Sequence, residues 1–175
     1  MDWHLVVQPL PKDLALNSIR DYRGIHGIAW PLKTPIELVQ RMDNQLYSTP
    51  NTSSYDFDLS LEYYCVANSN LSKVYFLRCS FDSKENTSPI FAFRGYDYGD
   101  PRGGYSCVFD EIICGRHKEF LEWQRRLNRY GLFQDPLTAQ EYISFRKTNE
   151  IRLKLEENTV CRLINIREYV PNKKE

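Results

Sequence analysis

Val74-Tyr75-Phe76-Leu77-Arg78-Cys79-Ser80, Ile90-Phe91-Ala92-Phe93-Arg94-Gly95-Tyr96 and Tyr105-Ser106-Cys107-Val108-Phe109-Asp110-Glu111-Ile112-Ile113 are three successive runs rich in aromatic and branched residues. Such side chains fit a pleated, half-buried surface, and each run has the length of a strand. Turn formers separate them. Residues 82–89 include Asp82, Ser83, Asn86 and Pro89, and residues 97–104 include Gly99, Pro101, Gly103 and Gly104, types that supply positive φ, a preset φ or a local side-chain hydrogen bond. The stretch 73–114 therefore predicts a β-meander that supplies a core.

Working outward, residues 55–66 place Tyr55, Phe57, Leu59, Leu61 and Tyr63 in alternation with Asp56, Asp58, Ser60, Glu62 and Tyr64. Period two predicts a fourth strand with one wet acidic face, a sequential neighbour of the meander in an antiparallel sheet. The apolar run Trp3 to Val7, closed by Pro9, reads as an edge strand. Helices are expected over 13–22, over 35–47, where Thr34, Pro35 and Glu37 make a start signal, and over 116–130, where Phe120, Trp123, Leu127 and Tyr130 share a face. Gly131 is placed for a left-handed cap. Thr138 to Glu141 reads as a capping box opening a helix over 138–148. Residues 151–155 alternate and predict a strand, with a helix continuing to 157 as the competing reading, followed by a returning strand over 160–169. The class is α+β: one domain over 1–175, with a mainly antiparallel sheet of four or more strands and helices packed on one face.

At 175 residues and 42% apolar the chain is long enough to bury one sizeable core. Its formal net charge is zero, which argues against holding nucleic acid by bulk charge or imitating it. The charge is uneven: residues 1–111 carry 10 Lys/Arg and 14 Asp/Glu, and residues 112–175 carry 13 and 9. Cys65, Cys79, Cys107, Cys114 and Cys161 are odd in number and lack C-x-x-C spacing, so neither a zinc site nor a full disulfide framework is indicated. Sequons at Asn51, Asn70 and Asn86 fall in polar segments. There is no basic leader followed by an apolar core and no 18-residue apolar run, so a cytoplasmic protein that does not span a membrane is expected.

No phosphate loop, dinucleotide fingerprint, nucleophile elbow, zinc helix or calcium loop is present, and no cofactor or metal is expected. His26 between glycines and the acid pairs Asp97 with Asp100 and Asp110 with Glu111 invite catalytic readings, but structural roles explain such residues more simply. Arg116, His117 and Lys118, followed by Arg125, Arg126 and Arg129, could line a phosphate-binding stripe, partly neutralised by Glu119 and Glu122 one turn away, and His117 is with His26 a candidate for a chemical role. Nucleic-acid contact is accordingly secondary.

Residues 95–105 carry Tyr96, Asp97, Tyr98, Asp100, Arg102 and Tyr105 among glycines. Tyrosine gives contact area at low entropic cost, so this loop is a candidate partner-binding surface, with Asp56, Asp58 and Glu62 as a second acidic set. A packed, decorated hairpin is the plainer account of the loop. This make-up, with many aromatics, an acidic face and a Tyr/Asp-rich loop but no catalytic motif, resembles the immunity proteins of bacterial polymorphic-toxin and contact-dependent inhibition systems. The resemblance implies neutralisation of a cognate toxin domain by tight binding. A small enzyme or nucleic-acid-processing domain with a site built from dispersed His, Asp, Glu and Arg is the alternative.

Overall fold

The computed structural model describes residues 2–9, 19, 21–26, 53–54, 56–70, 74–81, 88–102, 104–115, 117–155 and 160–171. Within them the fold is α+β. The strands are β1 (Asp2–Val7), β2 (Ser53–Ser54), β3 (Tyr75–Ser80), β4 (Phe91–Asp100), β5 (Tyr105–Ser106) and β6 (Arg162–Tyr169). They form one antiparallel sheet in the order β2-β1-β3-β6-β4-β5. The helices are α1 (Phe57–Asn70), α2 (Leu121–Gln124) and α3 (Pro136–Leu153), joined by a π-helical turn (Val108–Ile113) and a 3₁₀ turn (Lys118–Phe120). The helices expected over 13–22 and 35–47 fall mainly or wholly outside the described residues.

Register determines the two faces of the sheet. Leu5 pairs with Leu77, Cys79 with Ile166 and Asp97 with Ile164, so these residues share one face. It is covered by Ile25 and Leu132, which belong to the same apolar cluster. The opposite face carries Val6, Phe76, Phe91 and Tyr169 at one end of the strands and Tyr98 with Leu163 at the other. Helix α1 packs on the first of these groups through Leu59, Tyr63 and Ala67, at the i, i+4 spacing of one stripe. Tyr142 of α3 packs on the second, with Phe120, Trp123 and Phe133 around it. The helices thus share a face while occupying opposite ends of it.

Four local expectations are corrected. Residues 55–66 are not a strand: Asp56 caps α1, its Oδ1 accepting from Leu59 N at 2.9 Å, and the buried positions 59, 63 and 67 follow helical spacing. The run 105–113 is a strand for only two residues before the π turn, whose backbone Val108, Phe109, Ile112 and Ile113 bury together. Periodicity over 116–130 correctly marks Phe120, Trp123 and Leu127 as buried, but the segment is broken into the 3₁₀ turn, α2 and turns. Gly131 does have φ +71°, where it closes a turn by donating to Asn128 O at 2.9 Å rather than capping a long helix. Finally, 151–155 is not a strand. Helix α3 runs to Leu153 and stops at left-handed Lys154, and its N-cap is Asp135, three residues before Thr138.

The meander is also not sequential, because β6 inserts between β3 and β4. The segment 91–100 is continuous strand, so the expected loop over 95–105 shrinks to the turn after Asp100. Close approach sets one residue there. A Cβ on Gly99 would stand 2.1 Å from Tyr105 O and 2.8 Å from Ile25 Cδ1, so Gly99→Ala must push β5 off β4. The expected result is a loss of about 1–3 kcal/mol in urea unfolding. An unchanged midpoint would contradict this packing.

Candidate recognition site

The sequence-selected residues separate into three environments. Asp58 and Glu62 are exposed on the first two turns of α1, and Asp56 is exposed at its N-cap. Asp58 and Glu62 are one turn apart and flank the buried stripe of Leu59 and Tyr63, and no Lys or Arg occurs between Phe57 and Asn70. The acidic face expected of a strand therefore exists, but a helix presents it. A carboxylate in the first turn also meets the positive end of the helix dipole, which favours Asp58 where it stands.

Asp97 and Tyr98 are interior residues, which removes them from any contact surface of the folded protein. Asp97 is fully enclosed. Its Oδ1 accepts from Ser106 Oγ at 2.7 Å and from Tyr98 N at 2.7 Å, and Oδ2 faces Ile25 N at 3.5 Å. Burial pushes this carboxyl up to about 6, against the pull of those three donors. Next to it the Tyr22 hydroxyl is raised well above its ordinary range by burial and by the Asp97 charge. Asp97 thus ties β4, β5 and the 22–26 segment together. The Tyr98 ring meets Tyr142 edge-on, 6.5 Å between centroids, inside the core.

Tyr96, Asp100, Arg102 and Tyr105 remain near the surface. Tyr96 is partly covered: Phe93 lies edge-on 5.3 Å away, and its backbone exchanges hydrogen bonds with Phe133 at 2.8 and 3.0 Å. Tyr105 leans on the core cluster around Tyr98. Arg102 donates to both carboxylate oxygens of Asp100, at 2.8 and 3.0 Å. This fork lines an open cleft of about 200 Å³ together with Trp3, Phe81, Val160 and Arg162. The Arg162 guanidinium sits 5.4 Å over the Phe81 ring. Strand ends build the cleft: β3 and β4 finish there, β1 and β6 begin there. Trp3, Phe81 and Arg162 carried no local sequence signal, because only the strand order brings them together.

The cleft and the acidic helix are not one patch. Phe57 of α1 meets Phe91, at the start of β4, edge-on with 6.1 Å between centroids, whereas Asp100 ends that strand. At the usual rise per residue the two sites are separated by about 30 Å.

The candidate catalytic residues do not converge on the cleft. His26 stacks on Phe109 at 3.8 Å, and burial lowers its pKa despite the Asp110 charge. His117 tilts against Phe120. Asp110 and Glu111 diverge, Asp110 half-buried and Glu111 held inside by Arg146 at 2.9 Å and by the Tyr142 hydroxyl at 2.6 Å. Two cations of the expected basic stripe are neutralised from distant elements: Arg126 pairs with Glu141 and Arg129 with Asp21. Among the described residues no helix is long and apolar enough to cross a membrane. No family model, curated protein or solved structure matches the chain.

Proposed function

We propose that the protein is a non-catalytic binding protein that neutralises a cognate toxin domain in the cytoplasm, in the manner of an immunity protein. The observation that carries this reading is the exposed acidic pair Asp58 and Glu62, one turn apart on α1, with Asp56 exposed at its N-cap, on a helix without basic residues whose inner side is anchored in the aromatic cluster. A fixed group of carboxylates raises the encounter rate with a basic surface, such as the surroundings of a nuclease active site, and discriminates against acidic ones. The cleft with Asp100 and Arg102 is a second contact, reached by a partner large enough to span both sites.

Steering and anchoring separate in kinetics. With a partner isolated by co-purification, and confirmed as toxic by the growth arrest that this protein relieves, Asp58→Asn with Glu62→Gln is expected to slow association about tenfold at low salt and to flatten its salt dependence. Dissociation should stay near the wild-type rate. Stability should change by less than about 0.5 kcal/mol, since both side chains are exposed. Unchanged association in the folded double variant would remove the acidic pair from the interface. A partner whose toxicity is not relieved would remove the immunity reading itself.

A further inference from the structure

Cys107 and Cys161 are 54 residues apart in the chain, yet their sulfurs lie 3.7 Å apart. Cys107 sits between β5 and the π turn, and Cys161 directly precedes β6. Neither is in a disulfide, and both lie within the core that surrounds Tyr98 and Tyr142. Cys107 is fully enclosed, whereas Cys161 keeps 8% of its surface in solvent. The other cysteines are placed differently: Cys79 is buried on β3, on the opposite face of the sheet from Leu163, and Cys65 and Cys114 are exposed. A disulfide holds its sulfurs about 2.05 Å apart, an approach from 3.7 Å that is within reach of side-chain rotation.

We propose that Cys107 and Cys161 are a covalent modification site, closing to an intramolecular disulfide when the protein meets a peroxide. The partly exposed Cys161 reacts first, as its thiolate. Its sulfur bonds to one peroxide oxygen as the O–O bond breaks, giving a sulfenic acid and a hydroxide that leaves as water with the thiol proton. The Cys107 sulfur then attacks the Cys161 sulfur. The S–S bond forms as the S–O bond breaks, and the departing hydroxide takes the Cys107 proton as a second water. Two thiols are oxidised and one peroxide is reduced to two waters. The neighbouring Cys161 sulfur and burial both hold the Cys107 thiol far above its ordinary range, which leaves capture of the oxidant to Cys161. In a reducing compartment the dithiol prevails, and the oxidant is what shifts it.

The test uses the full chain carrying Cys65→Ser and Cys114→Ser, so that Cys79, Cys107 and Cys161 remain and the core is unaltered. After hydrogen peroxide treatment, the protein is alkylated in denaturant and digested with trypsin. Two of three thiols should be protected, and peptides 103–116 and 155–162 should appear joined, two hydrogens lighter than their sum and separable by dithiothreitol. The thermal midpoint should rise by roughly 5 °C or more, since the bond restrains the unfolded chain. Three alkylated thiols, a link through Cys79, or sulfonic acid without a link would each overturn the proposal. In a second arm Cys161→Ser should leave Cys107 alkylatable after the same treatment. Protection of Cys107 in that variant would also overturn it.

Discussion

Arg146→Met is expected to destabilise the protein by about 3–5 kcal/mol, the range for leaving one member of a buried ion pair without its partner. Arg146 and Glu111 are both nearly solvent-free, with 2% and 5% side-chain exposure. The guanidinium Nε reaches the two Glu111 oxygens at 2.9 and 3.2 Å, and Nη1 reaches Glu150 at 2.9 Å. Burial pushes the Glu111 carboxyl up even with the Tyr142 hydroxyl and Arg146 stabilising its charge. Without Arg146 the carboxylate must either remain charged in the core or take up a proton. Adding Glu111→Leu to Arg146→Met removes the orphaned acid, so the double variant should be less destabilised than Arg146→Met alone. Urea unfolding of the three proteins checks this. A loss below about 1 kcal/mol for Arg146→Met would show that the pair does not anchor α3 to the π turn.

Asp97→Asn should change how stability depends on pH. Asp97 has an ordinary value of 3.8, near which it titrates once the chain unfolds, and about 6 when folded. Between those values the unfolded chain has lost the proton while the folded chain keeps it, so rising pH favours unfolding. The contribution of Asp97 is full below about pH 4 and is lost by the time pH has passed 6. At 1.36 kcal/mol per pH unit this window corresponds to about 3 kcal/mol. The groups around the carboxyl are the Ser106 hydroxyl, the Tyr22 phenol and the Cys79 thiol, the last two held neutral through this range by burial. The stability of the wild type minus that of Asp97→Asn should therefore fall by about 2.5 kcal/mol from pH 4 to pH 7.5, with all other carboxylates cancelling in the difference. A constant difference across that range would rule out an acid titrating near pH 6.

The two variants probe residues that sequence reasoning handled unevenly. The runs that became β1, β3, β4 and β6 were legible as strands because branched and aromatic residues are bounded by Pro, Gly and Asn, although β1 is paired on both sides, by β2 and β3, and is not the expected edge. The α1 segment was not. Tyr63, Leu59 and Phe57 satisfy period two and also sit on the broad apolar side of a helix, and the deciding signal was the small one, Asp56 capping Leu59 N. The run Cys107 to Ile113 failed for the related reason that a short continuous apolar stretch fits a strand or a buried helical turn equally well. In the candidate site, the acids of α1 were identifiable because they alternate with apolar residues, which marks solvent-facing positions. Asp97 and Tyr98 look like neighbouring surface residues of a turn, and only the extension of β4 to Asp100 carries them into the core. Trp3, Phe81 and Arg162 depend on the strand order, which no local pattern encodes.

That order also dictates when the protein can form on the ribosome. β6 is the strand that joins β3 to β4, and its Glu168 accepts from Arg94 and from Arg23, the latter 145 residues earlier. Until 162–169 has been synthesised, β3 and β4 have no connection through the sheet and each carries an open edge of unpaired amides and carbonyls. Where β3 or β4 forms without 162–169, the edge it leaves open is exposed to strand-to-strand association with other chains. Pairing of β6 is the long-range contact that makes one sheet of these strands, so the sheet is complete only once residues 162–169 are in place.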